Sequence, residues 1–173
     1  LLSHVFLAKD FNWHPGSRLK LHIFRGIMQT TALLCLYTAI TVTPLATVIA
    51  LAFITPLLTA GGAIAFMGEP SKLNRWGAVL LGLFGALIII RPGFIIVSFG
   101  IILVIAYAIQ QAASNLTAKK LTQYESVSTV VAWMTLLSTP LTLVPALFVW
   151  SWPDLWGWYL VLINAICSTI AHL

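Results

Sequence analysis

Six apolar runs, most of them close to the length of a membrane-crossing helix, fill almost the whole chain, and nothing else in it constrains the fold as strongly. They cover residues 23–42, 44–67, 76–90, 98–118, 127–150 and 156–173, after an apolar stub at 1–7. A helix needs roughly 20 residues to cross a hydrocarbon core of about 30 Å. Apolar and polar residues do not alternate at period two along these runs, which argues against a membrane β-barrel. Backbone groups in lipid must then be satisfied within helices. With 60% hydrophobic and 8% charged residues, the chain falls far below the roughly 25% charge of a soluble domain. Its mean hydropathy is +1.01. The expected fold class is all-α: a polytopic transmembrane helix bundle in contact with the lipid bilayer.

The basic residues test this span count. With the stub named A and the runs B to G, Lys9, Arg18, Lys20 and Arg25 fall on the A–B side, Lys72 and Arg75 between C and D, and Lys119 and Lys120 between E and F. Of the nine Lys and Arg, only Arg91 falls on the opposite side. The positive-inside rule puts the A–B, C–D and E–F loops in the cytoplasm, and a missing or extra span would scramble the alternation. This distribution, rather than nucleic-acid binding, accounts for a pI near 9.6. Span D is short. Arg75 and Arg91 at its ends can snorkel and extend it, although a short span also marks the binding site in some carriers.

The sequence offers no catalytic apparatus. There is no G-x-S-x-G, no H-E-x-x-H and no pair of carboxylates at useful spacing. Asp10, Glu69, Glu125 and Asp154 all lie in loops, and the four histidines show no metal-ligand pattern. Cys35 and Cys167 lie far apart in apolar runs and read as buried small hydrophobes. The expectation is a protein that is not an enzyme, binds no cofactor or metal, and uses no nucleotide directly.

The spans hold uncharged polarity instead. Span B carries Gln29, Thr30, Thr31, Tyr37, Thr38 and Thr41; span E carries Gln110, Gln111, Ser114 and Asn115; span G carries Asn164, Ser168 and Thr169. Gln111, Ser114 and Asn115 share a helix face by their spacing. An amide facing lipid costs several kcal/mol unless paired or wet. These faces therefore meet other helices through hydrogen bonds or border a shared aqueous cavity. Pro56, deep in span C, removes the donor to the carbonyl of Ala52 and favours a kink, with Thr55 and Thr59 beside it. Pro140 and Pro145 repeat the pattern in span F. Such breaks serve either as static packing kinks or as soft points about which half a helix swings. Small residues four apart, including Ala46 and Ala50 in C, Ala78, Gly82 and Ala86 in D, and Ala108 and Ala112 in E, predict close helix packing.

Several stretches carry a resemblance in order: "HIFRG" at 22–26, "PLATVIALAFITPL" at 44–57, "GEPSKLNRWGAVLLGLFGALIIIRPG" at 68–93 and "ALFVWSWPDLWGW" at 146–158. The run closely resembles the EamA-type carriers of the drug/metabolite transporter superfamily. The resemblance implies a ten-helix protein of two inverted five-helix repeats in the bacterial inner membrane, the plasma membrane. On that reading the chain is an internal fragment, with residues 1–93 the end of the first repeat and 94–173 the start of the second. It also implies a central cavity bordered by Tyr37, Thr38 and Thr41 of span B and by the Phe53–Pro56 stretch of span C. Gln111 and Asn115, taken from their spacing, and Asn164 are added as substrate-pathway candidates. Arg25, Glu69, Arg75 and Arg91 match signature positions and read as helix-end anchors. Pro70 after Glu69 departs from the family pattern and leaves the shape of that loop open. The function implied is secondary transport of a small organic solute or metabolite by alternating access, with a homodimer compatible with it. The alternative is a non-transporting integral membrane subunit or accessory protein, whose polar residues would pair and leave no cavity.

Overall fold

A computed structural model of the chain describes residues 18–68, 73–90 and 98–172, and every regular element among them is helical. In chain order they are α1 (Leu19–Val42), α2 (Leu45–Ala52), α3 (Ile54–Met67), α4 (Leu73–Ile90), α5 (Phe99–Leu121), α6 (Val127–Phe148) and α7 (Leu155–His172). Spans B and D to G map onto single helices, and span C onto the pair α2 and α3. Four helical stretches are long and apolar enough to cross a membrane: Leu19–Val42, Leu45–Met67, Phe99–Leu121 and Val127–Phe148. Leu155–Cys167 is a shorter apolar helix. At 18 residues, α4 extends beyond its apolar run and spans roughly 27 Å at 1.5 Å per residue. The stub at 1–7, the loop to residue 17, Glu69, Pro70, Lys72 and Arg91 lie outside the described residues. Arg75 sits in the first turn of α4, and its side chain, like those of Ala78 and Ala86, is outside them too.

Local chemistry sets the helix ends. Pro44 disfavours helical geometry at the residue before it, and Thr43 is extended at φ −140°, ψ 142°. The carbonyl of Pro44 then accepts from the amides of Thr47 and Val48 as α2 starts. Gly68 ends α3 in the left-handed region at φ 65°, its amide bonded to Ile64, a conformation that glycine adopts without a side-chain clash. Ser126 caps α6 by accepting from the Thr129 amide at 3.3 Å, as a Ser at that position should.

The break in span C falls at Phe53, three residues before Pro56. Phe53 donates to Ala50, three residues back, rather than to Ile49, and α3 restarts at Ile54. Pro56 thereby occupies the first turn of a new helix, where its missing N–H is tolerated. Thr59 donates to the carbonyl of Thr55, while the hydroxyl of Thr55 has no partner. Span F differs from the expectation: α6 runs unbroken through Pro140 and Pro145. The ladder around the two missing donors holds, and Ser138, Thr139 and Thr142 each add a bond to a carbonyl one turn back.

Contacts fix how the helices run. Gln29 meets Ser114 and the Thr43 corner meets Gly100, so α1 and α5 are antiparallel. Ala39, Val48 and Val104 form one core cluster and Gly62 lies against Leu116, so α2 and α3 run parallel to α5. Gly61 approaches Trp76 and Gly82 approaches Phe53, which makes α4 antiparallel to α3. His22 lies by Trp133 and Gly26 by Leu137, so α6 follows α1. α5 touches α1, α2 and α3 and forms the centre of the bundle, whereas α7 makes no extended contact with another helix among the described residues.

This arrangement collects charge at one end. Arg18, Lys20 and Arg25 of α1 lie at the level of Lys119, Lys120 and Glu125, as the His22–Glu125 contact requires. The opposite end carries Trp150, Trp152, Trp156 and Trp158, all exposed, with Trp150 edge-on to Trp152 at 5.6 Å between centroids. Basic residues at one face and indoles at the other are the marks of a bilayer-embedded bundle.

Packing follows membrane rather than aqueous rules. The buried positions are mostly small: Ala32, Ala39, Ala50, Ala60, Ala63, Ala108, Ala112 and Ala132. Large apolar residues such as Leu34, Ile40, Phe66, Leu81 and Phe84 point outward. Lipid tails offer no hydrophobic drive between helices, so close backbone approach holds them together. Of the small residues that the spacing selects, Ala50, Ala108 and Ala112 are buried, while Ala46 is exposed.

Candidate functional site

Two polar regions are built on this frame. The first lies at the basic end. Arg18, His22 and Arg25 share one face of α1 by their spacing. The Arg18 guanidinium sits 4.3 Å above the centroid of the Tyr124 ring, a cation–π geometry. The Nε2 of His22 lies 2.8 Å from Oε2 of Glu125, and the His22 ring is tilted against Trp133 at 5.8 Å. Arg25 Nη1 donates to the carbonyl of Val130 at 3.0 Å. Together these contacts close α1 onto the α5–α6 loop and the start of α6. The sequence carried a signal for this clasp, because three polar residues at helical spacing at the edge of an apolar run must find partners.

The second region lies at mid-depth. Ser114 Oγ donates to Oε1 of Gln29 at 3.1 Å across the α1–α5 interface. One turn away on α5, Gln110 Oε1 is buried without a hydrogen-bond partner, as is Thr30 Oγ1 on α1. Gln111 Nε2 donates to Asn115 Oδ1 at 3.3 Å along the same helix. Interhelical bonds of this kind contribute about 0.6 kcal/mol. A double-mutant cycle with Gln29→Leu and Ser114→Ala is expected to give a coupling of about that size in reversible unfolding from detergent micelles; a coupling near zero would remove the bond from the account.

The sequence-selected residues are distributed as follows. Tyr37, Thr38 and Thr41 are exposed in the half of α1 toward the aromatic end. Thr38 donates to the carbonyl of Leu34, and Thr41 to that of Thr38. Phe53 and Pro56 are exposed at the helix break, with the Phe53 ring against Gly82. Parallel register with α5 sets that break level with Tyr107, about one turn from Gln111. Gln111 is half-buried and Asn115 exposed. The structure brings Gln111 to Asn115, and sets Phe53 near the level of Tyr37 rather than of that pair. Tyr37 to Thr41 lie five to nine residues from Gln111 in depth, about 8–14 Å at 1.5 Å per residue. Asn164 is exposed on α7 and meets none of the others. Cys35 is half-buried, but Cys167 is exposed, contrary to the expectation that both are buried, because α7 makes no extended contact. Among the described residues no group of three or more His, Cys, Asp or Glu side chains converges.

Apolar helices with charge at one end and uncharged polarity at depth define a multi-pass α-helical membrane protein. Residues 1–91 match the EamA-like transporter family, and the chain belongs to that family, within the drug/metabolite transporter superfamily. It is similar to a riboflavin transporter of Vibrio cholerae serotype O1, 31% identical over 158 residues, which cover 91% of this chain and 51% of the relative. It is also similar to a riboflavin transporter of Rhizobium johnstonii, 29% identical over 120 residues, which cover 69% of this chain and 40% of the relative. The chain thus spans about half the length of the curated relatives it matches. No solved structure matches it.

Proposed function

We propose that this chain is part of a secondary carrier that moves a small organic solute across the plasma membrane by alternating access, without covalent chemistry, and that riboflavin is the first solute to test. The observation that carries this reading is the break at Phe53, within about one turn of the amides of Gln110 and Gln111 in depth. A span interrupted at mid-depth beside polar side chains is tolerated where it faces protein or a water-filled cavity, and discontinuous helices at the midplane are how carriers build substrate sites. Relatives named as riboflavin transporters support the choice of solute. In this reading Phe53, Pro56, Gln111 and Asn115 border the solute path at mid-depth, and Tyr37, Thr38 and Thr41 border it toward the aromatic end. Residues 1–93 and 94–173 belong to two inverted repeats that rock against each other.

The test uses the full-length protein in proteoliposomes with radiolabelled riboflavin. Saturable uptake above protein-free vesicles is the expected result. In parallel, Cys35 and Cys167 are replaced, one cysteine is placed by Gln111→Cys, and an impermeant thiol reagent is applied from each side. Labelling at that depth supports an aqueous path. Absence of uptake together with a silent thiol, while loop cysteines react, overturns the carrier reading in favour of a non-transporting membrane subunit.

A further inference from the structure

Most threonines of the bundle bond their own helix. Thr31, Thr38, Thr41, Thr59, Thr117, Thr135, Thr139 and Thr142 each direct their hydroxyl to a carbonyl three or four residues back. This bond is available to any helical threonine and is the default in lipid. Thr30, Thr43 and Thr55 depart from it. They are buried, at 4%, 9% and 7% exposure, and none of their hydroxyls has a partner. Gln110 Oε1 is another buried polar atom without one, as are His22 Nδ1, Arg25 Nε and Trp133 Nε1 toward the basic end.

Register places Thr30, Thr55 and Gln110 together in depth. Gln29 opposite Ser114 sets Thr30 level with residue 113 of α5. Gly62 against Leu116 sets Thr55 level with residue 109. All three therefore lie within about one turn of Gln110 along the central helix. Gln110 is four residues from Ser114, so both face α1, where Thr30 lies. An unpaired polar atom buried in protein is costly; the others lie toward the ends of the bundle, whereas these three lie at mid-depth, where the cost calls for a purpose. No formal charge accompanies them: among the described side chains, Arg18 to Arg25, Lys119 to Glu125, and Asp154 all lie toward the ends of the bundle.

We propose that Thr30 and Gln110 are the solute-contacting polar pair of an occluded site between α1 and α5, and that this site takes an uncharged solute that both donates and accepts hydrogen bonds. The proposal rests on the carrier reading above. The carbonyl oxygen of Gln110 accepts from an N–H or O–H of the solute, and the hydroxyl of Thr30 donates to a solute carbonyl. The Gln29–Ser114 bond holds the two helices in register beside them. An ionised solute would find no counter-charge among the described side chains at this depth and would lose its hydration without compensation.

The experiment measures riboflavin uptake and thermal stability on the same full-length proteins. Thr30→Val and Gln110→Leu are each expected to raise KM about tenfold, the effect of leaving one solute group unpaired, and at the same time to raise Tm, because each removes a buried orphan. Thr117→Val, whose hydroxyl is already bonded to its own helix, leaves KM unchanged. Riboflavin 5′-phosphate is expected to compete at least tenfold more weakly than riboflavin. If wild type transports and both variants keep KM within twofold, the proposal falls while the carrier reading stands. Equal competition by the phosphate ester overturns the requirement for an uncharged solute. A wild type without uptake of any kind removes the carrier reading and this proposal with it.

Discussion

Truncating His22 to alanine is expected to destabilise the protein by about 2–4 kcal/mol, the range for emptying a packed site and stranding a partner group. The His22 side chain is fully buried and fills the space between α1, Trp133 and the α5–α6 loop. Its loss leaves a cavity beside Trp133 and removes the group that faces the Glu125 carboxylate, whose side chain is 12% exposed. Glu125→Gln keeps an acceptor oxygen at the same place and is expected to cost less. The two alanine variants, His22→Ala and Glu125→Ala, are expected to be strongly non-additive, since each removes the same contact. Thermal unfolding in detergent of the single and double variants measures this. Additive effects would show that the 2.8 Å contact contributes nothing of its own.

Gly100→Val is the second large expected effect. A β-carbon at Gly100 would run into the hydroxyl of Thr43 and lie 3.0 Å from both Thr43 Cβ and Val42 Cγ2. These atoms belong to the corner between α1 and α2, whose extended geometry at Thr43 is fixed by Pro44. The corner therefore cannot yield easily, and α5 must move at its first turn instead. Overpacking of this kind costs about 1–3 kcal/mol. Because α5 holds α1, α2 and α3 together, the loss is expected to appear as a reduced yield of monodisperse protein and a lower Tm. Thr43→Ala removes the nearest obstruction and is expected to restore part of the loss in Gly100→Ala. Failure of that rescue would place the strain elsewhere.

Much of the fold was legible because bilayer physics writes directly into sequence. Apolar run length gave each helix, and the alternation of Lys and Arg agrees with the relative directions that contacts set for α1 to α6. The position of the break in span C was less legible. Pro56 signals a defect, but the chain resolves it upstream at Phe53, where a proline can enter the first turn of a new helix. In α6 the same residue type leaves the helix continuous, so proline alone does not predict an interruption. At the candidate site, spacing along α5 identified the face bearing Gln111, Ser114 and Asn115. Which of its members cross to another helix depends on the rotation of α1, which no periodicity in α5 encodes. Ser114 crosses to Gln29, whereas Gln111 turns back to Asn115. The orphaned atoms of Thr30 and Gln110 were invisible in sequence, because a threonine bonded to its own helix and one that is not look identical there.

The confinement of charge to the ends of the bundle has an electrical consequence. Moving one elementary charge through the full membrane potential changes the energy by about 2.3 kcal/mol per 100 mV. Arg18, Lys20 and Arg25 share one end with Lys119, Lys120 and Glu125, and helices that tilt about the centre carry none of these groups across the hydrocarbon. On the carrier reading, the part of the protein described by the structure would displace almost no charge as it changes shape. A dependence of transport on membrane potential would then come from what travels with the solute or from the rest of the protein.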